Sequence, residues 1–345
     1  MLNFIKSQLP TPVRLWVRSL TQLDHRDLII WMNRTIGRKL PRRVKIDASS
    51  LCQLHCGSCA MRIYNYGDRG KGYLKFDDFA KFLKMNSYVR EIELSNHGEI
   101  FLNPDLLKII EYAHSKKVKL TAWNGVNFNT VSDEVLETLV KCKFYGVNVA
   151  IDGASQGVYS QYRGNGNFDK VINNIKKLNE YKEKYNSPLP LLNWQYIILE
   201  CSEIESEIKK AKEIAKELNC RIFFIKDHAG FIPKDTKMIE RETNLCYENK
   251  NNVLSRYTER NVPCVDLWKF PQINYDGRLF GCCNNTTKDF GVNVFEIGLR
   301  KSLNSKIVKH SKKMLMGKKM CEESPCNSCY IKNFVLDEKL LTKMK

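Results

Sequence analysis

A chain of 345 residues with 43% hydrophobic side chains can bury a sizeable core, either as one large α/β barrel or as a core with an appended domain. Its 56 Lys and Arg against 38 Asp and Glu leave a formal charge of +18, which draws in anionic ligands without specifying one. No run approaches the roughly eighteen consecutive apolar residues of a membrane span, and Lys6 and Pro10 interrupt any export signal, so the expected compartment is the cytoplasm.

Residues 1–43 read as an amphipathic helical extension, with Leu15, Trp16, Leu28, Ile29, Ile30, Trp31 and Met32 set among arginines and lysines. Such a face packs on a core, and the same combination suits peripheral contact with an anionic membrane. From Val44 a rhythm begins in which short β-rich runs alternate with helical spacing: VKIDAS (44–49), EIELS (91–95), KLTAWN (119–124), VNVAID (147–152), WQYIIL (194–199) and RIFFIKD (221–227). The helices include 131–140, 171–181 and 204–218, several with Ser, Asn or Asp as N-caps. Six strands with five intervening helices predict parallel βα units over residues 44–235. Right-handed crossovers curl these into a partial (βα)6 barrel. After about residue 236 the rhythm stops: INYDGRLFGCC (273–283) predicts a hairpin around Asp276-Gly277, and residues 236–345 predict a small cysteine-rich domain folded around metal.

Thirteen cysteines without an export signal are not expected to form a disulfide framework, because cytosolic thiols are kept reduced. Metal binding becomes the leading account. The sharpest pattern is Cys52-x3-Cys56-x2-Cys59, on the loop after the first strand and hence at the C-terminal mouth of the barrel. Three thiolates at this spacing can hold three irons of a [4Fe–4S] cube and leave the fourth without a protein ligand. Zinc would need His55 as a fourth ligand from inside the loop, whereas zinc ligands come as paired short spacings, so iron–sulfur is the expected chemistry. Cys142, Cys201, Cys220, Cys246, Cys283 and Cys321 read as small buried hydrophobes.

These motifs and the βα rhythm resemble the radical SAM superfamily, and the tail resembles its SPASM/twitch subgroup, over roughly residues 44–335. In that family S-adenosylmethionine (SAM) chelates the open iron through its methionine amino and carboxylate groups. An electron from the cluster, supplied by an external flavodoxin- or ferredoxin-type donor, then breaks a C–S bond to give a 5′-deoxyadenosyl radical. The resemblance implies that the cofactor supplies this chemistry and the protein supplies position and shielding. Asn96-His97-Gly98-Glu99 resembles the glycine-glycine-glutamate stretch after the second strand, which implies that Gly98 and Glu99 receive the methionine ammonium. His97 departs from a glycine there, and Ser58 departs from an aromatic or apolar residue near the adenine. Trp123-Asn124-Gly125 resembles the threonine-asparagine-glycine end of the third strand, which brings Asn124 to SAM. Ile151-Asp152-Gly153-Ala154-Ser155, followed by Tyr162-Arg163, resembles the strand-four signature and implies roles for Asp152 and Arg163, the arginine being suited to a carboxylate.

In the tail, Cys264, Gly277, Cys282 and Cys326-x2-Cys329 resemble the twitch arrangement, which implies one auxiliary [4Fe–4S] cluster held by Cys264, Cys282, Cys326 and Cys329 as electron relay or structural pin. Cys283 could replace Cys282 by a one-residue register change, and Cys321 could compete for a ligand place. A four-cysteine zinc ribbon is the alternative, although its first spacing here is long for zinc.

Three functions are compatible with these features. The first is a radical SAM oxidoreductase or epimerase acting on a carbohydrate or similar polar small molecule, with the basic surface suiting a phosphorylated, nucleotide-linked or lipid-phosphate-linked one. The second is a maturase of a ribosomally synthesised peptide; the 43 residues before the barrel are too few for a leader-binding domain, so a separate partner would bind the leader. The third is a zinc-stabilised nucleic-acid-binding protein. Against it, the basic stretches Arg38 to Lys45 and Lys306 to Lys319 lack interleaved aromatics, and nothing in it accounts for the three-cysteine motif on a barrel loop. No general base is singled out; His97, Tyr64 and Tyr66 lie near the expected mouth.

Overall fold

The computed structural model describes residues 40–63, 65, 67–199, 201, 203–227, 232–247, 266–285, 288–315 and 321–329. The expected N-terminal helix, Tyr64, Tyr66 and Cys264 lie outside these residues. The strands are β1 (Arg43–Ile46), β2 (His55–Cys56), β3 (Glu91–Glu93), β4 (Lys119–Val126), β5 (Gly146–Ala150), β6 (Arg163–Gly164), β7 (Leu191–Ile198), β8 (Arg221–Lys226) and β9 (Gln272–Ile273). The main helices between them are α1 (Phe76–Met85), α2 (Leu106–Ser115), α3 (Asp133–Lys141), α4 (Gln156–Tyr162), α5 (Phe168–Lys184) and α6 (Ile204–Glu217). No described helix is long and apolar enough to cross a membrane.

Every strand expected from sequence forms, and each lies within two or three residues of its predicted start. β5 is buried along its whole length, as a strand covered on both faces must be. The helices turn apolar stripes inward: Phe79, Phe82 and Leu83 from α1, and Val171, Ile175 and Leu178 from α5. Ser132 caps α3 by accepting from the Val135 N–H at 3.2 Å, and Asn167 caps α5 from the Lys170 N–H at 2.8 Å.

The sheet runs β8-β7-β5-β4-β3-β1-β9, with all neighbours parallel and β8 and β9 at opposite edges. It therefore has seven strands where the rhythm predicted six. The additional strand comes from the tail: β9 pairs with β1, the Lys45 N–H reaching Pro271 O and the Asp47 N–H reaching Ile273 O, each at 3.0 Å. Two residues of strand leave no periodic signal, which is why the sequence hides it. The pairing covers the β1 edge that a six-stranded sheet would expose.

The hairpin around Asp276-Gly277 forms directly after β9, with Asn274 N–H donating to Arg278 O at 2.9 Å. Gly277 has φ +88°, and a Cβ there would lie 2.2 Å from Asn293 Oδ1, so the turn requires glycine. Beyond it, α7 (Val294–Ile297) and α8 (Leu299–Leu303) dock on α1: Phe295 meets Phe82 edge-on at 6.1 Å, and the Asn86 side chain accepts from the Leu299 N–H at 3.0 Å. Val294, Phe295 and Leu299 share one buried apolar cluster with Val44 and Ile46 of β1. The described part of the tail is thus packed into the same core as the βα units.

Candidate active site

A cavity of about 550 Å³ opens where the chain leaves the C-terminal ends of the strands, the position at which α/β sheets place ligands. Cys52, Cys56 and Cys59 line it from the loop after β1, Gly98 and Glu99 from the loop after β3, Asn124 from β4 and Arg163 from β6. Asp152 does not line it. That carboxylate is 0% exposed behind the wall, where Oδ1 accepts from the Ile197 N–H at 2.7 Å and Oδ2 from Arg163 Nε at 2.5 Å.

The cysteine loop is fastened to the far side of the cavity by β2 and β6, which pair antiparallel with His55 opposite Gly164 and Cys56 opposite Arg163. The Gly57 N–H donates to Tyr162 O at 3.3 Å, and Ser58 Oγ lies 2.6 Å from the Tyr162 hydroxyl. Ser58, polar where the resembled family is often apolar, is therefore part of this fastening. Arg163 Nη1 sits 3.3 Å from Cys56 Sγ. Burial opposes the charge of Arg163, but Asp152 and the Cys56 thiol outweigh it, and its pKa lies above the ordinary arginine value.

Burial pushes the Cys52 thiol up to about 12, the Glu99 carboxylate adding to the effect, and burial also raises Cys56 against the pull of Arg163. Thiols so placed ionise only when a positive centre arrives, and metal coordination provides one. The donor set is sulfur alone, as an iron–sulfur cube requires. Among the described residues no three His, Cys, Asp or Glu side chains converge on a point that could hold a single metal ion. A cube takes one thiolate at each corner iron, so its ligands do not have to converge.

Gly98 is tied to its position by the cysteine loop. Its φ is +66°, and a Cβ would stand 2.4 Å from Ser49 O and 2.7 Å from Ser50 C. The next N–H, of Glu99, donates to Leu51 O at 2.7 Å. The Glu99 carboxylate accepts from the N–H groups of Asn127 at 2.7 Å and Phe101 at 3.2 Å. Burial lifts its pKa to about 7, and those two N–H groups work against the rise. A cationic ligand in the cavity would favour its charged form.

His97 turns into the wall, with Nδ1 3.2 Å from Oδ1 of Asp47, whose Oδ2 accepts from Arg69 Nη1 at 2.9 Å. On the neighbouring strands, the buried Glu93 carboxylate gathers the Ser95 N–H and hydroxyl, the Thr121 hydroxyl and the Trp123 N–H at 2.6–3.0 Å. Ser95 Oγ in turn accepts from the Asn124 N–H at 3.2 Å, and the Asn124 side chain bonds that of Asn96. These bonds lock the ends of β3 and β4 in register at the cavity rim.

The Ile151 to Ser155 stretch is mainly architecture. A Cβ on Gly153 would fall 2.4 Å from Tyr159 N in α4, so only glycine lets that helix approach. Glu207, in the first turn of α6, accepts from the Ala154 N–H at 2.7 Å and the Ser155 hydroxyl at 2.9 Å. Sequence reading did not find Glu207, Asp47, Arg69 or Asn127, and no local pattern marks them. Replacing Glu207 with Ala would strand a buried N–H and should cost about 1–3 kcal/mol, read as a lower denaturant midpoint at unchanged slope.

In the tail, Cys282 and Cys283 follow the hairpin, and Cys326 and Cys329 share a turn closed by the Cys329 N–H to Cys326 O bond of 3.3 Å. Burial raises the Cys326 thiol to about 11. Cys321 is buried, whereas Cys142, Cys201, Cys220, Cys246 and Cys283, also expected to be buried, are half-buried.

No protein-family model matches the chain. It is 24% identical over 192 residues to an AdoMet-dependent heme synthase of Methanosarcina barkeri, a match covering 54% of this chain and 51% of that protein. It is 26% identical over 151 residues to a probable GTP 3′,8-cyclase of Methanocaldococcus jannaschii, covering 42% and 48%. The chain thus spans about half the length of the curated relatives it matches. Among solved structures, SuiB of Streptococcus suis bound to S-adenosylmethionine superposes with a TM-score of 0.61 at 15% identity, covering 89% of this chain and 75% of that one. Native anSMEcpe with bound AdoMet gives 0.55 at 18% identity, covering 85% and 88%. Both share the fold described above.

Proposed function

The chain belongs to the radical SAM superfamily, and on that premise we propose that Cys52, Cys56 and Cys59 hold a [4Fe–4S] cluster whose open iron takes SAM, for hydrogen abstraction from a polar substrate. The observation that carries this reading is one cavity in which three thiols face a buried, backbone-held carboxylate and a partly buried guanidinium. A cluster held by Cys52, Cys56 and Cys59 would pass to bound SAM one electron received from a flavodoxin- or ferredoxin-type donor, and the reductive C–S cleavage that follows would supply the hydrogen-abstracting chemistry.

The protein's own residues do the rest. Glu99 offers its carboxylate to the methionine ammonium, and Gly98 lets the backbone come close enough for that contact. Arg163, aimed by Asp152, places positive charge beside Cys56 and next to the ligand carboxylate. Asn124, fixed from behind by Ser95, presents a side-chain amide at the rim.

The substrate class we favour is a carbohydrate or similar polar small molecule, oxidised or epimerised, and the charge of +18 supports an anionic one. We further read the tail as holding an auxiliary [4Fe–4S] cluster on Cys264, Cys282, Cys326 and Cys329, an electron acceptor for the oxidised product. A ribosomal peptide is the second reading, prompted by SuiB, which has been solved bound to the precursor peptide SuiA.

Anaerobically reconstituted protein should be brown and, given SAM and dithionite, should release 5′-deoxyadenosine. A colourless protein containing zinc, with no such product, would overturn the proposal.

A further inference from the structure

Because the strands run parallel, their entries share the face opposite the cavity. These entries are basic. Arg42 and Arg43 lead into β1 and Arg90 into β3; Lys116, Lys117 and Lys119 lead into β4, Lys143 into β5 and Arg221 into β8, all of them exposed. The carboxylate set among them, Glu91, is the register partner of both Arg43 and Lys119 and accepts from Arg43 Nε at 2.9 Å. The other cations form no salt bridge among the described residues. Helix C-termini attract cations, which accounts for Lys116 and Lys117 behind α2. It does not account for Arg42, Arg43, Lys119 and Arg221 at strand starts, nor for the strand exits, where Asp47, Glu99, Asp152 and Asp227 stand instead.

Apolar side chains lie exposed on the same face. Met85 ends α1 with 39% exposure, and Leu191 opens β7 with 43%. Ile297, 41% exposed, ends α7 two residues before Leu299, the N–H of which meets the Asn86 side chain at 3.0 Å. Beside Asn86 is a second cavity, of about 210 Å³, lined by Leu83, Lys84, Tyr112, Lys116 and Val118. Its lining combines apolar walls with two exposed lysines.

We propose that this face docks on an anionic phospholipid bilayer, with Met85, Leu191 and Ile297 entering the interface and the lysines and arginines meeting lipid phosphates. Exposed apolar groups set among basic ones suit that boundary, and each cation near an anionic leaflet adds to the attraction. The cavity between α1 and α2 has the size and charge to take a headgroup phosphate. Nucleic acid fits less well, because Tyr112 and Tyr145 each carry a lysine over the ring, at 5.1 and 4.4 Å, which a stacking base would have to displace. Residues 1–39, in which apolar and basic side chains alternate in sequence, join β1 at this edge. So docked, the chain opens its active-site cavity away from the lipid, which makes the membrane an anchor and not the source of the substrate. The docking does not depend on the cluster.

The test is sedimentation of the reconstituted full chain with vesicles of phosphatidylcholine alone or of phosphatidylcholine and phosphatidylglycerol in equal parts. Wild-type protein should pellet with the anionic vesicles only, and added salt should release it. Lys116→Gln, Lys117→Gln and Lys143→Gln together should lower partitioning by about tenfold or more. Lys170→Gln, Lys210→Gln and Lys234→Gln, which remove the same charge elsewhere, should stay near wild type. No binding to anionic vesicles, an unchanged first triple, or an equal loss in both triples would overturn the docking. Capture of a single-stranded RNA oligonucleotide by protein that ignores the vesicles would assign the face to nucleic acid instead. Circular dichroism verifies the fold, and if the first triple is unfolded, Lys143→Gln with Arg221→Gln is read against the same outcomes.

Discussion

Replacing Cys52, Cys56 and Cys59 together with alanine is expected to remove about four irons per chain and bring 5′-deoxyadenosine formation below detection. The effect should be complete because, among the described residues, the three thiols are the only cysteines lining the cavity. Removing Cys56 also leaves Arg163 Nη1 without its sulfur neighbour, on the side chain that bridges the loop to Asp152. The fold should survive, since the loop keeps its β2–β6 pairing and the core lies elsewhere. Iron analysis with product chromatography checks this, and circular dichroism verifies the fold. Persistent product formation by the triple variant would show that the site is wrongly assigned.

The second large effect is expected from Gly98→Ala. An L-residue at φ +66° costs about 1–2 kcal/mol by itself. The added Cβ would overlap backbone at Ser49 O and Ser50 C, where no side chain can swing aside, and such overpacking costs about 1–3 kcal/mol more. The strain can be relieved only by moving the loop after β1 or the turn before Glu99, and both belong to the proposed ligand site. Gly57→Ala is the control, since nothing lies within 4 Å of a Cβ placed there. We expect Gly98→Ala to lower thermal stability and to reduce SAM cleavage by at least tenfold at saturating dithionite, with Gly57→Ala close to wild type in both.

What the sequence made legible followed from periodicity and spacing. Runs of β-rich residues such as 147–152 and 221–227 are long enough to announce themselves, and Ser132 and Asn167 stand at the caps their helices require. The cysteine motif could be placed because a loop after a parallel strand must lie at the C-terminal mouth. What stayed hidden depends on groups distant in the chain. Glu207 meets Ala154 across 53 positions, Asn127 meets Glu99 across 28, and Arg69 meets Asn285 across 216. None belongs to a local pattern. β9 was missed because it is two residues long and its register is set by β1. Asp152 was expected at the cofactor, and the structure places it one step behind, where it holds Arg163. His97 read as a departure whose consequence was open; the structure joins it to Asp47.

The most direct test of the whole account is the electron paramagnetic resonance spectrum of the dithionite-reduced N-terminal cluster, recorded before and after SAM is added. Direct ligation of the open iron predicts a clear shift in that signal in the wild-type protein and no such signal in the triple cysteine variant. A fully loaded protein whose spectrum does not respond to SAM would contradict it.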